Sequence, residues 1–121
     1  MEMVSIVIPL YNRKNIFFQS LSSIYAQTYG SLEIIVVDDG STEFNILEME
    51  LPEQKGIPII KIRQENRGAQ AARNTGFRKS SGEFLLFWDA DIIAEPNFVS
   101  ELLDALKKNS DAGYSYCNFF W

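Results

Sequence analysis

The chain has 121 residues, the size of a single domain, with 16 acidic and 11 basic residues and a formal net charge of −5. The acidic balance argues against a nucleic-acid partner held by bulk positive charge, while 46% apolar and 13% aromatic residues describe a globular chain rather than a disordered one. The lone Cys117 excludes an internal disulfide framework and a cysteine zinc site. The absence of histidine excludes imidazole zinc sites and histidine bases, so any metal here must rest on oxygen ligands.

Residues 4–8 are apolar and largely β-branched, which predicts a buried strand stopped by Pro9. The run is short and lacks a basic leader, so it does not read as a signal peptide. Residues 14–28 place Phe17, Leu21, Ile24 and Tyr25 at helical spacing, with Asn12 or Asn15 as N-cap. A second strand is expected over 33–37, ended by Asp38-Asp39-Gly40. Ser41 or Thr42 then caps a short helix to about Glu50, with Phe44, Leu47 and Leu51 on one side. Residues 51–58, with two prolines and Gly56, read as a loop too short to divide the chain.

A third strand covers 58–62, and Asn66 is placed to cap a helix over 68–79. A fourth strand covers 83–88, entered through the turn at Ser81-Gly82. Pro96 fits the first turn of a further helix that turns Phe98, Leu102, Leu103 and Leu106 inward, with Lys107 and Lys108 at its negative end. Residues 112–116 are expected as a fifth strand, and Cys117 as a small core residue. No stretch approaches the ~20 apolar residues of a membrane span. One cysteine and no export signal favour a cytoplasmic location, or one at the cytosolic face of a membrane.

Alternating strands and helices predict an α/β fold, a Rossmann-like, mainly parallel sheet flanked by helices. Ligands of such sheets collect at the carboxyl ends of the strands. Here those ends are Pro9-Leu10-Tyr11-Asn12, Asp38-Asp39-Gly40, Arg63-Gln64-Glu65-Asn66 and Asp89-Ala90-Asp91. Asp89 and Asp91, two apart in extended chain, would face one side and suit Mg²⁺ or Mn²⁺; a solvated turn capping the next helix is the other reading. Asp38 and Asp39 could accept hydrogen bonds from a nucleotide base or ribose, or could serve as turn and cap residues. Tyr11 could stack on a base or simply pack. Gly68, Ala72 and Gly76 form a stripe of small residues. It would admit either a ligand or the sheet, with Arg67 at the helix entrance and Arg73 beside the stripe.

In order along the chain, these segments resemble the family 2 glycosyltransferases of GT-A fold. The resemblance is carried by residues 4–12, 20–24, 27–28, 33–42, 65–68, 72–76, 81–84, 89–91 and Pro96. It implies that Pro9, Tyr11 and Asn12 line a nucleotide pocket and that Asp38 or Asp39 holds the base. Arg73 would then lie against the base or diphosphate, Asp89 would face the ribose or sugar, and Asp91, with Asp89, would ligate the divalent metal. The implied partners are a nucleotide-diphosphate sugar, most simply a UDP-sugar, and a saccharide or lipid-linked acceptor. The implied chemistry is inverting transfer, with a carboxylate base taking the acceptor proton.

None of Glu95, Glu101, Asp104 or Asp111 stands in a pattern that matches that base, which is expected downstream of Trp121. Residues 1–121 therefore read as a nucleotide-sugar-binding portion cut before the acceptor half. Such a portion is expected to bind a nucleoside diphosphate weakly and to transfer sugar poorly or not at all. The terminal Phe119, Phe120 and Trp121 are expected to be disordered or to self-associate. A receiver domain is a rival, but its acidic pair would follow the first strand. A nucleotidyltransferase would carry a glycine-rich loop where Leu10-Tyr11-Asn12-Arg13-Lys14 stands. A non-catalytic nucleotide-binding or interaction module is the third rival.

Overall fold

A computed structural model describes residues 1–109 together with 111, 113 and 114. Four parallel strands, β1 (Val4–Leu10), β2 (Leu32–Asp38), β3 (Ile59–Arg63) and β4 (Phe84–Phe87), form one sheet in the order β3-β2-β1-β4. Helix α1 (Lys14–Tyr25) joins β1 to β2, α2 (Ala69–Lys79) joins β3 to β4, and α3 (Phe98–Lys108) follows β4. The strand order reverses at β1, and open α/β sheets bind ligands at such a switch point.

Strand alternation assigns the two faces. Ile6, Ile8, Leu10, Ile34 and Val36 point to one side, where they pack with Phe17, Leu21 and Ile24 of α1, Trp88, and Val99 and Leu103 of α3. Val7, Ile35 and Val37 point to the other and pack with Ala72 of α2. Phe98, Leu102 and Leu106 are half-buried; Val99, absent from the predicted inward set, takes the buried place beside Leu103. Among the described residues, no helix is long and apolar enough to cross a membrane.

Pro9 lies inside β1 rather than ending it. The Val7 carbonyl accepts from Trp88 on the β4 side, and the Leu10 carbonyl accepts from Asp39 on the β2 side. Alternation therefore turns Pro9 toward β4, which has already ended at Phe87, so its missing N–H breaks no ladder bond. Helix α1 stops at Tyr25, short of the expected 28. The Gln27 side chain leaves the helical path and donates to the Ser23 and Glu95 carbonyls while accepting from the Val99 amide. Gln27 thus caps the start of α3 from the chain just beyond α1.

Neither Asn12 nor Asn15 caps α1. The cap position is Arg13 in left-handed conformation, with no side-chain cap bond. The helix expected over 41–50 is reduced to a single 3₁₀ turn, Ile46–Glu48, capped by Asn45. The Asn12 side chain takes the amides of Thr42 and Glu43, and Arg63 takes the carbonyls of Ser41 and Phe44, so these groups are not free to build helical turns. Of the strand expected over 112–116, only Gly113 and Tyr114 are described, and neither is in a strand. The rest of that segment, with Cys117 and the terminal aromatics, lies outside the described residues.

The turn before β4 is held by Glu33, a buried acid on β2. Its carboxylate accepts from the Ser5 hydroxyl at 2.5 Å, the Ser81 amide at 2.7 Å and the Ser81 hydroxyl at 2.9 Å. Burial pushes its pKa up, but the hydrogen bonds from Ser5, Ser81 and the Gly82 amide outweigh that and hold it below the ordinary value of 4.5. Gly82 is required there, because a Cβ would stand 2.6 Å from the Met3 carbonyl oxygen.

Candidate functional site

The carboxyl ends of β1, β2 and β4 converge with the first turns of α2 on an open cavity of about 340 Å³. Strand β1 contributes Pro9 and Leu10, and the turn into α1 contributes Tyr11 and Arg13. The end of β2 contributes Asp39, α2 contributes Ala69 and Arg73, and the chain after β4 contributes Asp89, Ala90 and Asp91. Six of the eight sequence-predicted site residues therefore meet in one place: Pro9, Tyr11, Asp39, Arg73, Asp89 and Asp91. Asn12 and Asp38 do not line it.

Asn12 is turned away because its side chain ties the end of β1 to the loop after β2. Its Oδ1 accepts from Thr42 and Glu43 at 3.0 and 3.1 Å, and its own amide donates to the Ser41 hydroxyl at 2.7 Å. Its left-handed backbone, φ 54°, fits a residue type that tolerates this region. Asp38 is fully buried. It accepts from the amides of Ser41 and Ile46, and from Arg63 Nη1 at 2.7 Å. All of its bonding is internal, and it acts as the anchor of the loop after β2.

Asp39 reaches the cavity wall, but its carboxylate also does structural duty. Oδ1 accepts from the Arg67 amide and from Gln64 Nε2, both at 2.9 Å, and Oδ2 accepts from the Gly68 amide at 2.8 Å. The start of α2 is a natural anion site, and its anion here is Asp39. The expected Asn66 cap is replaced by this contact, while Asn66 donates to the Asp39 carbonyl instead. Gly68, at φ 95°, turns the chain from these two amides into α2. The stripe of small residues divides accordingly. Ala72 and Gly76 are buried against the sheet, and a Cβ on Gly76 would fall 2.2 Å from Val7 Cγ1.

Asp89 and Asp91 sit in a turn closed by the Ile92 amide on the Asp89 carbonyl at 3.0 Å, rather than in the extended chain expected. Trp88 enforces the turn. Its fully buried indole donates to the Ser20 hydroxyl at 2.7 Å and to the Ile92 carbonyl at 3.3 Å, and its ring meets Phe98 edge-on. Both carboxylates still face the cavity. Asp89 Oδ1 pairs with Arg73 Nη2 at 3.1 Å, and Asp91 Oδ2 with Arg13 Nη1 at 3.3 Å. The two acidic side chains are 58% and 50% exposed, enough for an ion to reach them. Each keeps one oxygen with no protein partner among the described residues.

These donors fit a hard divalent cation that takes one or two carboxylates and completes its shell with substrate phosphate and water. No cluster of three metal-ligating side chains occurs among the described residues, so an all-protein cage is not what the site offers. Leu10 and Ala90, which belong to the strand ends read from sequence, also line the cavity, whereas Arg13 and Ala69 line it without having been expected there. Arg13 carried no signal, because its position depends on a left-handed turn that no periodicity reveals.

The family model described as Glycosyl transferase family 2 matches residues 5–119. A glycosyltransferase of Streptococcus pneumoniae, GlyA, is 38% identical over 84% of this chain, which spans 14% of that protein. The mannosyltransferase PcManGT of Pyrobaculum calidifontis, solved with GDP-Man and Mn²⁺, superimposes with a TM-score of 0.72 at 25% identity, over 85% of this chain and 32% of that one. TarS of S. aureus, solved with UDP-GlcNAc, superimposes with a TM-score of 0.73 at 24% identity, over 91% of this chain and 32% of that one. The chain thus spans about a third or less of each of these proteins.

Proposed function

The chain belongs to glycosyl transferase family 2 and has the GT-A type of fold, and on that premise we propose that it binds the nucleotide-diphosphate part of a sugar donor in the cavity at the switch point. The observation that carries this reading is the convergence of Tyr11, Arg73, Asp89 and Asp91 from three separate elements on one cavity. The nucleotides held by PcManGT and TarS support the donor class, and we take a UDP-sugar as the simplest donor.

Each residue then has a role set by its chemistry. Pro9 and the half-exposed Tyr11 offer an apolar wall and a ring against which a base or ribose can lie. Asp39, already fixed by the start of α2, presents a rigid acceptor edge to the base. Arg73 can exchange its Asp89 partner for a phosphate oxygen, since its planar fork matches either anion. Asp91, with Asp89 beside it, would hold Mn²⁺ or Mg²⁺. The ion, when bound, neutralises charge that builds on the departing diphosphate. Inverting transfer also needs an acceptor site and a base for the acceptor hydroxyl. In this reading the three carboxylates that line the cavity are assigned to the base contact and the ion, which leaves none of them as the base for the acceptor hydroxyl. The 121 residues are therefore read as the donor-binding portion, with a saccharide or lipid-linked acceptor bound elsewhere. The single cysteine fits a reducing, cytosolic setting.

Calorimetric titration of UDP and GDP, with and without Mn²⁺ or Mg²⁺, tests this on the chain and on Asp91→Ala. Metal-dependent binding that disappears in the variant is the expected result. Binding indifferent to metal would remove the role given to Asp91, and no binding of either nucleotide would remove the donor site itself.

A further inference from the structure

We infer that Arg13 is a built-in counter-cation, whose guanidinium holds the Asp91 carboxylate and competes with a divalent cation for it. The inference rests on the reading of Asp91 as a metal ligand and goes beyond it, naming the residue that sets how readily the ion binds.

Three observations lead here. Arg13 is the second of two consecutive non-glycine residues in left-handed conformation, at φ 61° and ψ 44° after Asn12 at φ 54°. Asn tolerates this region well, whereas Arg has no special preference for it, so the backbone there is held by its surroundings. The clamp is visible: Asn12 is fixed on both its amide and its side chain by residues 41–43. Second, the Arg13 side chain does nothing for the helix it precedes. It makes no cap bond, and a positive charge at a helix N-terminus opposes the macrodipole. Third, its one ion pair among the described residues is with Asp91, which lines the same cavity and lies 78 residues away in sequence.

The pair is 3.3 Å long, with side chains 65% and 50% exposed. Such a contact is weak and screened by salt, so it can be displaced. A divalent ion at Asp91 meets the guanidinium already on Oδ2 and, even on the free Oδ1, the repulsion of that neighbouring positive charge. Binding of the ion must therefore displace Arg13 or bear its repulsion, and either lowers the apparent affinity of the site by about the strength of that pair.

Manganese binding to the 121-residue chain, read from the spectrum of the free ion by electron paramagnetic resonance, tests this without any turnover. Arg13→Gln should bind Mn²⁺ about twofold to fivefold tighter than the wild type, the range set by an exposed ion pair. Arg13→Lys, which keeps the charge, should stay near the wild-type affinity, and Asp91→Asn should bind far more weakly. Circular dichroism checks that each variant is folded. If Asp91→Asn weakens binding but Arg13→Gln leaves it unchanged or weaker, the inference fails and the metal site stands. If Asp91→Asn binds like the wild type, the metal role of Asp91 fails and this inference with it.

Discussion

Replacing Gly76 by alanine sets two physical effects against each other. On an exposed helix the change would stabilise by about 1 kcal/mol, since glycine is the poorest helix former after proline. Gly76 is instead buried against β1, and the added methyl would stand 2.2 Å from Val7 Cγ1, 3.1 Å from Cγ2 and 3.2 Å from Cβ. Rotating Val7 cannot relieve all three contacts, because Cβ does not move and a β-branched χ1 is stiff. Val7 is itself fully buried in the central strand, with β2 on one side and β4 on the other, so the sheet cannot give way either. Helix α2 would have to lift by roughly an ångström, and overpacking of this kind costs about 1–3 kcal/mol. Packing outweighs propensity, and Gly76→Ala should destabilise by up to about 2 kcal/mol net in urea unfolding. Adding Val7→Ala to it should cost less than the two single changes summed, because the second removes the atoms that clash with the first. A Gly76→Ala variant more stable than the wild type, or strict additivity in that cycle, would refute the close-packing account of the stripe of small residues.

Asp38 should prove structural where Asp91 proves functional. Asp38→Ala leaves the amides of Ser41 and Ile46 without their acceptor and Arg63 without its counter-charge, and should cost about 3 kcal/mol in urea unfolding; a loss below about 1 kcal/mol would contradict the anchoring role. Glu33 should leave a signature in acid. Its folded pKa lies below 4.5, so its contribution is complete above the unfolded value and is lost as pH falls through the folded one. The stability gap between the wild type and Glu33→Gln, about 2 kcal/mol from lost charge-assisted hydrogen bonds, should hold from pH 7 to 5 and close below 4.5. A gap that stays constant down to pH 3 would show that the charge is not what the network needs.

The strand pattern was legible because buried parallel strands leave continuous apolar runs, and four of them appear where residues 4–8, 33–37, 58–62 and 83–88 predicted. Helix capping was not legible, for a consistent reason. Propensity rules place the cap just before its own helix, whereas here the caps come from afar: Asp39 for α2 and Gln27 for α3. Only the folded sheet brings those side chains to the amides they satisfy. The short helix expected over 41–50 failed on the same ground, since its backbone groups were already taken by Asn12 and Arg63.

The aspartates show how far a sequence reading of a site can reach. All four lie at or just past the end of a strand, and residue type alone makes them equivalent. What separates them is the supply of donors nearby. Two amides and a guanidinium close around Asp38, which is thereby withdrawn from any ligand. The start of α2 closes around Asp39 and leaves it rigid at the cavity wall. Among the described residues, Asp89 and Asp91 accept from no backbone amide through their carboxylates; each has a contact with one arginine, at 3.1 and 3.3 Å. A carboxylate satisfied by the fold is difficult to recruit, because a ligand must replace short buried bonds. A carboxylate held only by a mobile guanidinium is easily recruited, because the arginine can follow the diphosphate or return to water. The weakness of the two arginine pairs is thus the physical reason for placing the ion at Asp91 and Asp89, and the same weakness is what the manganese titration of Arg13→Gln measures.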